Sequence, residues 1–519
     1  MMMRQVLSWL LVLFGAFAGV PAQAADLRIG LSADVTTIDP HHLPSQPNLA
    51  VGYHVFDALT HVDEKARIIP GLAVSWRTLD PTTWEFKLRP GVKFHDGAEL
   101  TAEDVVFSLD RPPTIKGGGF GSYVAMIQSK TIVDKLTVRI VTRAPYGALA
   151  EELNSVMIVS KKHATGAASE DFDSGKATIG TGPYKFVRFA RGDRVEYVRN
   201  NDYWGGRPAW EKLTLRIMPT DPVRTAALLA GELDVIEHVP PADRERLARN
   251  PKLRLDQTTS WRTLFLHLDQ YRAVSPYVTD SAGKPLDKNP LMDLRVRRAM
   301  SMAINREALA ERVMEKLAVP ASNIVAPLIF GHNAQIRNER YDPDGARKLL
   351  AEAGYPNGFS ITLSGPNNRY INDEQILQAV AQMFTRIGIQ TKVEALPLAV
   401  FFPKARKDDT SVALLGWGSF SGDLALRSLL ATPSPERGWG AWNWGKFSNA
   451  KVDQLLTQAF ATTDPKAREA VVRDAMAVAM VNVPVIPLHH QIVSWAMRSD
   501  ITYTPRTDEF SFAHLFKPK

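Results

Sequence analysis

Residues 76–107 read WRTLDPTTWEFKLRPGVKFHDGAELTAEDVVF. Trp84, Phe86 and Leu88 fall on one side of a period-2 alternation and Glu85 and Lys87 on the other, which predicts a half-buried strand. Arg89-Pro90-Gly91 turns the chain. Thr101-x-x-Asp104, just before Val105-Val106-Phe107, predicts a helix start, because a hydroxyl and a carboxylate at that spacing satisfy orphan backbone donors. The stretch therefore predicts a strand, a turn, a short strand and a helix.

Upstream, Arg4 is the lone charge before a nearly all-apolar run from Val6 to Val20, and Ala22-Gln23-Ala24 is a small-residue cleavage site. This predicts a secretory signal peptide over residues 1–24, cut after Ala24. The run is shorter than the ~20 residues a bilayer span needs, and no later stretch is longer and as apolar. An exported, soluble chain is expected. It contains 0 cysteines, which excludes a disulfide, a thiolate metal site, a cysteine nucleophile and a lipid-anchored cysteine at the mature N-terminus. Without that anchor, the periplasm of a Gram-negative cell is the expected location.

At 519 residues the chain is too long for one ordinary domain. Its 62 Lys and Arg against 55 Asp and Glu give a formal charge of +7, but the basic residues are spread along the chain and interleaved with acids. A solvated surface is expected, with no nucleic-acid partner. Strand and helix patterns alternate throughout, which predicts an α/β architecture. Predicted strands include Leu27–Leu31, Leu136–Val141, Arg194–Val198, Leu213–Ile217, Thr263–Leu268, Gln390–Glu394 and Val412–Leu415. Asp221-Pro222 and Asp342-Pro343 read as an N-cap followed by an N1 proline, with Gly231 and Gly354 closing those helices. Asn305 is expected to cap a helix running through Leu317. Gly166–Gly182 and Ser275–Pro290 are polar and turn-rich and read as boundaries.

Gly418-Ser419-Phe420-Ser421-Gly422 has phenylalanine where a nucleophile elbow needs serine. The H-E-x-x-H, Walker A and G-x-G-x-x-G patterns are not present in the sequence. His41-His42 and His489-His490 carry imidazoles suited to a borderline metal, but neighbours on a strand point to opposite faces and offer one ligand per side. No enzyme, no metal and no cofactor is expected.

The 76–107 stretch resembles the signature of the family 5 extracellular solute-binding proteins, the peptide and nickel receptors of ABC importers. IGTGPYKF at 179–186, NDYWGGRP at 201–208, LRVRRAMSMAINRE at 294–307, YDPDGARKLLAEAGYPNGF at 341–359 and SNAKVDQLL at 448–456 follow in the family's order. The resemblance implies an α/β, two-lobed periplasmic-binding-protein fold with a hinge and an extra subdomain inserted in the first lobe. The first lobe would comprise 25–68, 179–265 and 488–519, with 69–178 inserted; the second would be 266–487.

Leu414-Leu415-Gly416-Trp417-Gly418-Ser419-Phe420-Ser421-Gly422-Asp423 reads as a buried strand entering a glycine-rich loop. Glycines let a backbone approach a ligand, and tryptophan offers a flat apolar wall. In peptide-binding members of the family, a tryptophan at this place is followed three residues later by an aspartate that anchors the peptide's α-ammonium group. Here Trp417 matches, but the position three on is Phe420 and the next acid is Asp423. Either Asp423 takes over or the ligand has no free α-amine there. Phe420 either faces the ligand or fills the core. Resemblance to dipeptide-binding relatives places Arg369 opposite a ligand carboxylate, a task its planar fork suits. It also places His42, Ser45 and Gln46 against the ligand, with Tyr53 close behind. Trp439, Trp442 and Trp444 either stack on a ligand or fill the second lobe, and Trp495 is expected in the core.

The resemblance implies a periplasmic receptor that closes two lobes over a small solute, a di- or oligopeptide first, and hands it to the permease of an ABC importer. It implies no covalent chemistry, and a monomer is expected. An opine, sugar or nickel chelate is the alternative ligand, and an exported enzyme or a chaperone on the same fold is the alternative function. N-terminal sequencing of the protein from a periplasmic fraction should begin at Ala25; a membrane-bound chain retaining residues 1–24 would establish an anchor instead.

Overall fold

The computed structural model of the protein describes residues 26–519; the signal-peptide reading lies outside the described residues. The fold is α/β and two-lobed, and one twelve-stranded sheet runs through both lobes. In the first lobe Asp26–Leu31 pairs in parallel with Lys212–Ile217 and with Val235–Ile236, and Arg194–Arg199 and Tyr184–Ala190 continue antiparallel to the edge. In the second lobe Phe359–Pro366 pairs in parallel with Ile389–Leu396 and Val412–Trp417.

Two long antiparallel strands, Leu253–Leu268 and Val485–Arg498, join the lobes. Leu253–Thr259 pairs with Arg498–Ile492, and Thr263–His267 pairs with His490–Val485. The register breaks between Thr259 and Thr263. A break of this kind bends a strand and raises its twist. Val485–Arg498 stays the partner on both sides of it, and from Thr263 on Val412–Trp417 of the second lobe joins as a second one, which suits a hinge.

The 76–107 stretch builds a separate four-stranded sheet in the order Ala73–Asp80, Thr83–Leu88, Thr137–Thr142, Ile127–Asp134. Trp84, Phe86 and Leu88 are buried on one face. Glu85, on the other, sits between Arg77 at 2.8 Å and Arg139 at 3.1 Å. The capping box forms: the Thr101 N–H donates to Asp104 at 3.0 Å, and the Glu103 N–H donates to the Thr101 hydroxyl at 3.3 Å, opening the helix Ala102–Asp110. The expected short strand does not form. Only an isolated bridge joins Lys93 and Glu99, because Gly97 at φ 88° folds the segment into a tight turn braced by Asp96.

Two helix readings are corrected. Asn305 does cap its helix, accepting from the Ala308 N–H at 2.9 Å. However, Arg306–Ala308 passes into a π-helical turn over Leu309–Val313 and ends there, and Glu315 and Lys316 take positive φ before Leu317. Asp221 is the first residue of its helix, and Thr220 precedes it as the cap.

One apolar core gathers Leu27, Phe56, Tyr184, Leu213 and Trp495 in the first lobe, and a second gathers Leu264, Met300, Phe384 and Leu414 in the second. A third runs from Phe86 and Val105 across to Leu426, Leu456 and Met476. Polar contacts cross there too. The Gly147 N–H donates to the Phe460 carbonyl at 2.6 Å, and Tyr146 stacks on Phe460 at 5.0 Å. Arg427 donates to the Tyr146 hydroxyl at 2.7 Å and pairs with Glu152, while Arg468 pairs with Glu151. Residues 146–152 thereby dock on the helices Gly422–Leu429, Ala450–Ala461 and Pro465–Met480.

Gly180 and Gly182 of the IGTG turn lie flat on Val55, whose carbonyl accepts the Gly182 N–H at 2.8 Å. A β-carbon on Gly180 would collide with that carbonyl. Gly180→Ala should therefore destabilise the protein by about 1–3 kcal/mol through overpacking, read as a lowered midpoint in urea unfolding. A second outcome concerns acid. Burial holds His41, His54 and His489 at about 4, and His267 and His490 at about 3. The unfolded chain takes up those protons near ~6.5, so stability is full above that pH and falls as pH drops from ~6.5 toward 4. Chemical unfolding at pH 5 should give a clearly lower midpoint than at pH 7.5.

Candidate functional site

In open parallel sheets ligands bind beyond the carboxyl ends of the strands. In the second lobe two such ends lie close together. Phe359–Pro366 runs out into Asn367–Asn372, and Val412–Trp417 into Gly418–Gly422. The Tyr370 ring ties them, packing on Gly416 so closely that no side chain fits there and donating its hydroxyl proton to the Gly416 carbonyl at 3.2 Å.

Trp417 is half-buried, lies opposite Thr263 and meets Trp442 at 5.0 Å between ring centroids. Trp442 continues to Trp444 at 5.9 Å, and both reach Phe402. These tryptophans form an aromatic cluster in the second lobe, while Trp439 lies under Arg437. Gly418 leaves room for the Trp261 indole, which a β-carbon would strike. Ser419 is buried and donates to the Ser421 carbonyl at 2.8 Å, which tightens the loop. Phe420 is half-buried, with its ring 6.4 Å from Trp261. Asp423 is fully buried in the first turn of Gly422–Leu429. It accepts from the Leu424 N–H at 2.9 Å and from the Ser421 hydroxyl, and it faces Arg468 at 3.5 Å.

Arg369 is half-buried, and among the described residues no carboxylate lies within ion-pair distance of its guanidinium. The group sits over Tyr370 at 5.3 Å. Burial, and then repulsion from Arg262, pushes its pKa below the ordinary arginine range. A cation in that condition gains from an anionic partner.

On the first-lobe side, Ser45 precedes the helix Gln46–Gly52 without capping it through its side chain, and Ser45 and Gln46 are half-buried. The His42 carbonyl accepts the Gly119 N–H at 2.7 Å, and its Nδ1 is buried without a partner. His42 lines a cavity of about 630 Å³ with Phe107, Arg111 and Ser169. Tyr53 is buried within the first lobe, its ring against Phe510 and Phe512 and its hydroxyl donating to the Asn154 carbonyl. The site stretches Arg369–Tyr370 and Trp417–Phe420 thus come together, whereas His42 and Tyr53 belong to separate surroundings.

Three residues were missed in the sequence. Ser260-Trp261-Arg262 occupies the hinge break, and the backbone N–H of Trp261 donates to the Thr507 carbonyl at 2.9 Å. Arg262 pairs with Glu509 at 2.6 Å, and both are buried. Burial alone would push Glu509 up, but the guanidinium overrides it and holds the carboxyl at about 2. No local signal sets Trp261 and Arg262 apart from a continuous strand. Their partner lies 247 residues on. Among the described residues, no group of three or more His, Asp or Glu is placed to hold a metal ion, and no helix is long and apolar enough to cross a membrane.

Known proteins match this arrangement over nearly its full length. A glutathione-binding protein, GsiB, of Pectobacterium atrosepticum is 32% identical over 476 residues, covering 89% of this chain and 88% of its own. A dipeptide-binding protein of Escherichia coli is 28% identical over 464 residues, covering 84% and 83%. The solved structure of the ABC transporter-associated periplasmic binding protein DppA from Helicobacter pylori, in complex with the peptide STSA, superposes with a TM-score of 0.81 at 24% identity, covering 95% of this chain and 98% of that one. Residues 67–429 match the family described as bacterial extracellular solute-binding proteins, family 5 Middle, and the chain belongs to that family.

Proposed function

We propose that the protein is the periplasmic receptor of an ABC importer, that it closes its lobes over a di- or oligopeptide, and that it delivers this solute to the membrane permease. It acts as a monomer and catalyses no reaction. Hinge closure is the motion such receptors use. In this reading the first lobe comprises 25–68, 179–265 and 488–519, 69–178 is inserted, and 266–487 is the second lobe. The ligand lies against Trp417, Gly418, Ser419, Phe420 and Arg369, with Ser45 and Gln46 approaching from the first lobe.

The observation that carries the reading is Arg369. A half-buried guanidinium with no carboxylate partner, at the joined carboxyl ends of parallel strands, suits the terminal carboxylate of a peptide. Relatives named for a dipeptide and for glutathione, both carboxylate-bearing peptides, support the same class.

Titration calorimetry with a dipeptide series tests it. At least one dipeptide should bind, and Arg369→Ala should weaken that binding by about 2–5 kcal/mol, as removal of a buried charge partner does. Binding unaffected by Arg369→Ala would move the carboxylate elsewhere, and no binding by any peptide would remove the peptide class.

A further inference from the structure

The polar groups around the joined loops are unbalanced in one direction. The buried acids around them, among the described residues, are already engaged. Asp423 is turned into its own helix and toward Arg468. Glu509 is held by both Arg262 nitrogens and by the Ser260 hydroxyl. Asp373 accepts the backbone N–H groups of Arg369, Tyr370 and Glu374 at 2.8–3.0 Å. On the first-lobe side Glu237 accepts from the Ser32 N–H at 3.0 Å and from the Ser511 hydroxyl at 2.7 Å.

The donors are not all engaged. The Arg369 guanidinium faces no carboxylate among the described residues, and the Trp261 indole N–H is buried without an acceptor. Trp261 also touches the two residues that line the loop, with Gly418 beneath its indole and Phe420 6.4 Å away. The site therefore offers donors and apolar rings, and no unpaired buried acid among the described residues.

A ligand bearing an ammonium group against Phe420 would bury a positive charge beside donors and hydrocarbon, with nothing to compensate its lost hydration. A ligand with an amide there meets the opposite situation. Its carbonyl accepts the orphan indole N–H, and its acyl group covers the Phe420 and Trp417 rings. Resting on the peptide reading above, we infer that the ligand is an N-acylated amino acid or N-acylated short peptide, with its carboxylate on Arg369 and its capped end against Trp261 and Phe420.

Two exposed acids border the site, Glu374 just past the Arg369 loop and Asp34 in the loops at the carboxyl ends of the first lobe's parallel strands, and the test includes both. Calorimetric titration of the full-length mature protein would compare alanyl-phenylalanine with N-acetyl-alanyl-phenylalanine. The acetylated peptide should bind at least about 10-fold tighter. Phe420→Asp should reverse that order by supplying the missing acid, and Trp261→Phe should weaken the acetylated peptide more than the free one. Tighter binding of the free peptide by the unaltered protein would overturn the inference while leaving the peptide receptor intact, and its loss in Asp34→Asn or Glu374→Gln would identify the acid responsible. Binding of neither peptide, by the unaltered protein or by Phe420→Asp, would overturn both. Should Phe420→Asp fail to fold, as judged by circular dichroism, the Trp261→Phe comparison decides alone: an equal effect on the two peptides would overturn the inference.

Discussion

The Arg262–Glu509 pair fixes the break in the long strand that passes from one lobe to the other. Arg262 lies in the register break of a strand that serves both lobes, and Glu509 lies in the C-terminal segment that returns to the first lobe. Glu509 itself adopts φ 69°, a left-handed conformation, and Ser260 adds a hydroxyl to its carboxylate. Breaking a buried pair by deleting one partner costs about 3–5 kcal/mol because the other charge is left uncompensated. Here the loss would fall on the geometry of the break. Trp261 is aimed by the same three-residue excursion, and Arg369 feels the Arg262 charge.

Much of the fold was legible because its signals are local. The alternation at Trp84, Phe86 and Leu88 needed only neighbouring residues, and so did the Thr101–Asp104 box. The readings that failed were those decided by tertiary context. Val92–Phe94 looks apolar enough for a strand, but the turn at Gly97 brings it back on itself first. The helix from Asn305 was expected to reach Leu317; the π-helical turn diverts it, and nothing in the residue types announces that.

The site was legible in part for the same reason. Gly416 to Gly422 reads as a strand entering a loop, and it is one. Whether a given acid on that loop is available is a different kind of fact. Asp423 looks free in sequence, yet its oxygens are engaged by Ser421 and Leu424 and by Arg468, which is 45 positions away and on another helix. Trp261 and Arg262 were passed over because a continuous strand and a strand with a three-residue break look alike until the long-range pairing is known.

The docking of residues 146–152 on the second lobe has a thermodynamic meaning. Tyr146 against Phe460, Gly147 on the Phe460 carbonyl and Arg427 between Tyr146 and Glu152 are contacts of protein with protein. Their contribution to the shut form is present whether or not a solute is bound. If they part when the lobes open, their strength weights the shut form over the open one even without solute. A tighter clasp would then slow reopening and the escape of captured solute, so the strength of this small polar patch would tune residence time without touching the ligand.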